Sequence, residues 1–237
     1  MLVKIVCFFA CLVLILHTNI IICKATTIEV SAKSAIVMVA STGEVLYSKN
    51  AYEKRGIAST TKVMTCLVAL ENVSLCDTTV VKQEDVMVEG TSVGLKAGDV
   101  VDVHTLVKGM LLESGNDAAN VTATLVAGDK ESFSRLMNAK AKALGMDNSF
   151  FVNPSGLTED GHYSCAYDMA ILGSNAIKNK IFKNICSAEK MTVNIGGAHP
   201  YKKTFYNHNK LLSKCDGAIG IKTGFTKASG RCLVSAV

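Results

Sequence analysis

The order of local signals along the chain constrains its fold more than any single motif does. Strand-forming segments stand at both ends of the folding part, and a long helical block lies between them. Ala35-Ile36-Val37-Met38-Val39 is β-prone, Ser41-Thr42-Gly43-Glu44 carries turn chemistry, and Val45-Leu46-Tyr47 resumes the strand. Residues 34–52 therefore read as a hairpin. At the other end, 218–223 and 232–237 read as two strands joined by the turn around Lys227 to Gly230. Between them, 57–72 places Val63, Leu67 and Leu70 on one helical face, with Ser59 or Thr60 available to cap its start. Segments 103–112 and 117–126 read as two helices broken at Ser114-Gly115-Asn116. A further helix, 130–144, has Phe133, Leu136, Met137 and Leu144 as its apolar positions and stops at Gly145; 167–177 is again helical. Asn153-Pro154-Ser155-Gly156 makes 151–157 a loop. The chain shows no repeat, low-complexity tract or interdomain linker. The order predicts an α/β (α+β) domain, with an antiparallel sheet made from both chain ends and helices inserted between.

The first residues read as targeting rather than fold. Residues 5–23 carry no charge, Lys4 precedes them, and Cys23-Lys24-Ala25 is a small-x-small exit. That order predicts a secretory signal over 1–25 and a folded domain over 26–237. The alternative, an uncleaved anchor, meets His17, Thr18 and Asn19 inside the run. Removing Lys4 and Lys24 with this segment lowers the formal charge from +5 by two, to about +3. No Lys/Arg cluster emerges from that balance, which argues against a nucleic-acid partner. Export permits disulfides among Cys66, Cys76, Cys165, Cys186, Cys215 and Cys232, but a domain of this size does not need them. Most of the six are expected to be small buried hydrophobes. No C-x-x-C pair occurs and histidine is scarce, so no metal site is expected.

Ser59-Thr60-Thr61-Lys62 carries the chemistry. Residues three apart share a helix face, so the hydroxyl and the amine can meet. A serine hydroxyl needs an adjacent base, and a lysine becomes one when burial disfavours its ammonium form. The pattern alone is weak. About one match is expected by chance in a chain of this length, and Ser187-Ala188-Glu189-Lys190 is a second copy on a solvated stretch. What distinguishes the first copy is its company. Ser114-Gly115-Asn116 follows at a helix break, and Lys222-Thr223-Gly224 follows in the penultimate strand. The order S-x-x-K, S-x-N, K-T-G is the signature shared by penicillin-binding proteins and β-lactamases.

From about Ser31 onward the chain resembles the low-molecular-weight D-alanyl-D-alanine carboxypeptidases. The resemblance rests on Thr42–Tyr47, Ala58–Lys62, Leu111–Ala118, Phe151–Leu157, His162–Ala170 and Gly220–Gly224, in that order. It implies a β-lactamase/transpeptidase-like fold with the site in the cleft beside an inserted helical region, and no cofactor. Ser59 would attack the penultimate D-Ala carbonyl of a peptidoglycan pentapeptide, and Lys62 would take its proton. Ser114 would relay a proton to the leaving amine, and Asn116 would hold Lys62 and the substrate amide. Lys222 and Thr223 would receive the terminal carboxylate, and Gly224 would let a substrate backbone approach. The backbone N–H groups of Ser59 and Phe225 would form the oxyanion hole. β-Lactams would acylate the same serine. The 153–156 loop is expected to be structural and His162 a positioning or loop residue.

Two rival functions are weighed against this. A class A β-lactamase carries Ser-Asp-Asn second and a glutamate for deacylation. Here Gly115 stands in that motif, and Glu131, Glu159 and Glu189 are followed four residues on by Arg135, Tyr163 and Val193 rather than asparagine. A non-catalytic sensor of wall peptides would keep the cleft without turnover. The chain also departs from the family pattern: Ile57 replaces a frequent proline, and the sequence stops 13 residues after Gly224. The expectation is a truncated domain, its membrane anchor absent, with the sheet split where a further strand would lie. Such a chain is expected to melt below about 50 °C.

Overall fold

The structure, a computed structural model, describes residues 28–237. It divides after Ser31, so the architecture described is that of Ala32–Val237. The expected signal segment lies outside the described residues, among which no helix is long and apolar enough to cross a membrane.

The strands are β1 (Ala35–Met38), β2 (Val45–Lys49), β3 (Thr78–Val80), β4 (Val100–Asp102), β5 (Lys190–Ile195), β6 (Tyr201–Tyr206), β7 (Gly220–Thr226) and β8 (Gly230–Ala236). They pair antiparallel as β1–β2, β3–β4, β5–β6 and β7–β8. The helices are α1 (Lys62–Asn72), α2 (Gln83–Val86), α3 (Val103–Lys108), α4 (Asn116–Ala127), α5 (Lys130–Ala143), α6 (Ala166–Ala176) and α7 (Lys180–Cys186). Every helix and both hairpins expected from the sequence are present. The β7–β8 turn leaves three residues between Thr226 and Gly230, and Gly230 takes φ +71°, as a three-residue hairpin loop requires.

Helix α1 is the centre of the core. Residues Lys62 to Ala69 are all buried, so its first two turns have no solvent face; only the last turn, with Glu71 and Asn72, is exposed. Helices α4, α5 and α6 pack around it. This burial matters for function because α1 begins with the lysine of the first motif.

The chain ends do not share one sheet. The β1–β2 and β7–β8 hairpins both pack on α6 but do not pair with each other, so the expected sheet is two two-stranded sheets. Two other pairs, β3–β4 and β5–β6, and helices α2 and α7 were not expected. Strands β3 and β4 have three residues each, too short for a periodic signal. Strand β5 did carry one: Met191, Val193 and Ile195 alternate with exposed residues. Of the six cysteines, Cys66, Cys165 and Cys186 are buried, Cys232 is half-buried, and Cys76 and Cys215 are exposed; all are free. The expectation that most would be buried holds for half.

Candidate active site

Ser59 lies in a 3-10 turn, Ala58–Thr61, that runs straight into α1. Side chains three apart eclipse in such a turn, which sets Lys62 directly above Ser59. Lys62 Nζ and Ser59 Oγ are 3.1 Å apart. Neither Ser59 nor Thr60 caps the helix as expected. The turn has no side-chain cap, and Thr60 Oγ1 donates to Ile57 O at 2.5 Å.

Lys62 is fully buried, and its amine donates to Asn116 Oδ1 at 2.7 Å and to Ser155 O at 2.6 Å. A neutral amine has two N–H bonds. In that form two carbonyl-type acceptors use both, and the lone pair is left for the Ser59 hydroxyl 3.1 Å away; a protonated amine would instead donate to all three oxygens. Burial, reinforced by the charge of Lys222, holds the Lys62 pKa well below its ordinary value. This arrangement can accept a proton from Ser59 as it attacks. The second S-x-x-K copy forms nothing comparable. Ser187 and Lys190 are exposed, and Ser187 Oγ donates to Lys183 O at 2.6 Å.

Ser114-Gly115-Asn116 is the break between two helical runs. Helix α3 continues as a π-helical turn, Gly109–Glu113, and ends where Ser114 takes φ +66°. That left-handed residue turns the chain so that Asn116 opens α4 facing Lys62. Asn116 is fixed in turn, with Nδ2 donating to Glu89 O at 2.6 Å and its backbone N–H to Thr91 O at 2.8 Å. The buried Asp117 carboxylate accepts from Ser92 Oγ, Val93 N and Leu95 N, pinning 92–95 over the start of α4. A β-carbon at Gly115 would stand 2.6 Å from Val93 Cγ1 and 2.7 Å from Asp117 Oδ1. The packing thus gives a physical reason for Ser-Gly-Asn rather than Ser-Asp-Asn. Ser114 is buried beside this group, but its hydroxyl makes no hydrogen bond among the described residues.

The 151–157 loop is more than a spacer. Besides the Ser155 carbonyl on Lys62, Pro154 O accepts from Thr65 Oγ1 at 2.6 Å. Gly156 has φ +84°, and a β-carbon there would fall 2.0 Å from Ala58 O. The loop is therefore clamped onto the nucleophile's turn, and Ser155 is a site residue that the sequence reading missed. No side-chain chemistry marks it, because the group in use is a backbone carbonyl.

Strand β7 closes the other side. Lys222 is buried, with Nζ donating to Thr223 O at 2.9 Å, and burial lowers its pKa to about 8. Thr223 and Gly224 are half-buried, and Phe225 is 65 % exposed. A β-carbon at Gly224 would lie 2.9 Å from Ser59 N and 3.0 Å from Thr60 N. The side of Gly224 on which a β-carbon would stand faces the chain's own nucleophile turn. This packing brings the residue before Phe225 against the amide of Ser59.

Among the described residues four non-glycine residues have positive φ, and three flank or form the motifs: Ala58 at +47°, Ser114 at +66° and Ile221 at +115°. Such conformations cost about 1–3 kcal/mol each and persist where the surroundings dictate them. For the β-branched Ile221 this is a marked outlier. Among the described residues no group of three or more His, Cys, Asp or Glu side chains could hold a metal.

The family model described as D-alanyl-D-alanine carboxypeptidase matches residues 22–237. The chain is similar to the D-alanyl-D-alanine carboxypeptidase DacF of Bacillus subtilis, 37% identical over 216 residues, covering 86% of this chain and 53% of that protein. To DacB2 of Mycobacterium tuberculosis it is 34% identical over 207 residues, covering 86% and 70%. Among solved structures, the DD-transpeptidase of Streptomyces K15 superposes with a TM-score of 0.84 at 31% identity, covering 89% of this chain and 86% of that one. The chain spans about half the length of several of the curated relatives it matches. Matched over nearly its whole length, with the three motifs assembled around one buried lysine, the chain belongs to the D-alanyl-D-alanine carboxypeptidase family of S11 peptidases.

Proposed function

We propose that the protein is an exported serine-type D-Ala-D-Ala carboxypeptidase that removes the terminal D-alanine from peptidoglycan pentapeptides on the outer side of the cytoplasmic membrane. The observation that carries this reading is the Lys62 amine, which is buried, lowered in pKa, and 3.1 Å from Ser59 Oγ with both N–H bonds accounted for. Ser59 Oγ attacks the penultimate D-Ala carbonyl while its proton passes to Lys62. The tetrahedral oxyanion lies toward the N–H groups of Ser59 and Phe225. Ser114 passes a proton to the departing D-Ala amine as the peptide bond breaks. Asn116 keeps Lys62 oriented, and Lys222 with Thr223 receives the substrate carboxylate. Water then cleaves the Ser59 ester. A β-lactam follows the same first step and remains on the serine.

A second reading differs only in the acceptor. The Streptomyces K15 relative is titled a DD-transpeptidase, so an amine could replace water in the last step. Labelling the purified chain with a fluorescent penicillin tests the shared step. Label should appear on wild type and vanish in Ser59→Ala. D-Ala release from a pentapeptide, with and without an added amino acceptor, then separates hydrolysis from transfer. A wild-type chain that folds by circular dichroism yet takes no label would overturn the proposal.

A further inference from the structure

The turn that carries Ser59 is fastened to the 151–157 loop by a joint on its far side. Thr61 Oγ1 and His162 Nε2 are 2.8 Å apart, and both side chains are buried. Val152 N–H donates to His162 Nδ1 at 3.1 Å. Nδ1 therefore carries no proton, and Nε2–H donates to Thr61 Oγ1. Burial lowers the imidazole pKa to about 4, so the ring stays neutral near neutral pH. Val152 enters the loop whose Ser155 carbonyl holds Lys62 and whose Gly156 abuts Ala58. A cavity of about 180 Å³ adjoins this joint, with Ala58, Gly156, Leu157 and His162 in its wall.

We infer that His162 is a positioning residue for acylation. Holding Thr61 with one ring nitrogen and Val152 with the other, it sets the separation between the nucleophile's turn and the Ser155 carbonyl, and so the geometry of Lys62. The inference rests on the proposed function. The imidazole touches neither the reacting atoms nor Lys62. It acts through a hydroxyl on the residue next to Lys62 and through the backbone that carries the Lys62 acceptor. Without it, the loop loses its tie to the turn, and water from the cavity gains access to the Lys62 amine. Hydration favours the ammonium form, so the Lys62 pKa should rise. The charged or titratable groups acting on Lys62 are Lys222, Cys66 and Asp117; Glu159 acts on His162.

Three variants separate the two ring nitrogens. His162→Gln keeps an amide N–H near Nε2 for Thr61. His162→Asn keeps an acceptor near Nδ1 for Val152 but loses that donor. Thr61→Val removes the hydroxyl at nearly constant shape and keeps the test open should a His162 variant fail to fold. The readout is the second-order rate of acylation by a fluorescent penicillin from pH 5 to 9, with the melting temperature measured alongside. His162→Asn and Thr61→Val should each acylate about 10–100-fold more slowly, as expected for a displaced catalytic group. Their double variant should be no slower than either single, because both break one joint. The acid limb of the pH profile should move to higher pH in both, and His162→Gln, which keeps the Thr61 donor but drops the Val152 acceptor, should also acylate more slowly than wild type. Wild-type rates and an unmoved acid limb in Thr61→Val would overturn the inference, as would losses that multiply in the double variant. A wild-type chain that does not label overturns the functional reading and this inference with it. A labelled wild type with unaffected variants overturns this inference alone.

Discussion

Two buried amines stand side by side in this site and are furnished differently. Lys62 has a hydroxyl and two carbonyl-type oxygens within hydrogen-bonding distance, drawn from the turn, the 151–157 loop and α4. Lys222, equally buried, makes one hydrogen bond among the described residues, to the carbonyl of the next residue. Burial depresses both pKa values, and the charge of Lys222 lowers Lys62 further. A buried amine whose N–H bonds are matched to neutral acceptors is suited to remain uncharged and take a proton. A buried amine with N–H bonds left over is suited to receive an anion, because desolvated donors gain most from a charged acceptor. Under the proposed function the first is the base and the second the carboxylate receptor. The contrast teaches that motif lysines with similar burial are told apart by their acceptors.

The comparison breaks first at Lys62. Lys62→Met should slow penicillin acylation by about 10²–10⁴-fold, the range for loss of a general base. The melting temperature should hold or rise, because an apolar chain replaces a desolvated amine. A variant that acylates normally would mean that Ser59 uses another base.

At Lys222 the expected effect is smaller and of another kind. Lys222→Met should cut kcat/KM for a carboxylate-ended peptide by about 10–100-fold, the equivalent of one hydrogen bond to a charged group, mostly through KM. In wild type, kcat/KM should fall as pH rises through about 8, where Lys222 loses its proton, and the variant should lack that limb. Stability runs the other way. The folded pKa is depressed from 10.5 to about 8, so over that window the native state binds fewer protons than the unfolded chain and gains stability as pH rises. Urea midpoints at pH 8 and pH 10 should show this slope in wild type and less of it in Lys222→Met. Equal slopes would show that Lys222 is not perturbed in this way.

The smallest effect sharpens the contrast from outside. Ser187→Ala, in the exposed second S-x-x-K copy, should leave labelling unchanged and alter stability by less than about 0.5 kcal/mol. Loss of label there would dismantle the assignment of the first copy.

Much of the site was readable before folding. Ser59 and Lys62 are marked by their spacing together with the two motifs downstream, because a helical or 3-10 turn can bring residues three apart together wherever it forms. The helix break at Ser114-Gly115-Asn116 was equally plain, since a glycine between two polar residues interrupts an apolar period. Ser155 was not legible. Its contribution is a carbonyl, and every residue has one. Nor was the packing of Gly224 against the amide of Ser59. The β5–β6 hairpin lay in plain alternation, but the helical reading of the surrounding block passed over it.

By itself the sequence determined the two terminal hairpins, the five expected helices and the three motifs, because hydrophobic period and turn chemistry are local properties. It also allowed the amine of residue 62 to meet the hydroxyl of residue 59. Only the tertiary structure chose which of the two buried amines is furnished with neutral acceptors. That choice depends on Asn116 and Ser155, 54 and 93 residues away along the chain, arriving as acceptors at one nitrogen. Desolvation and acceptor geometry set a lysine's charge, and neither exists until distant segments pack.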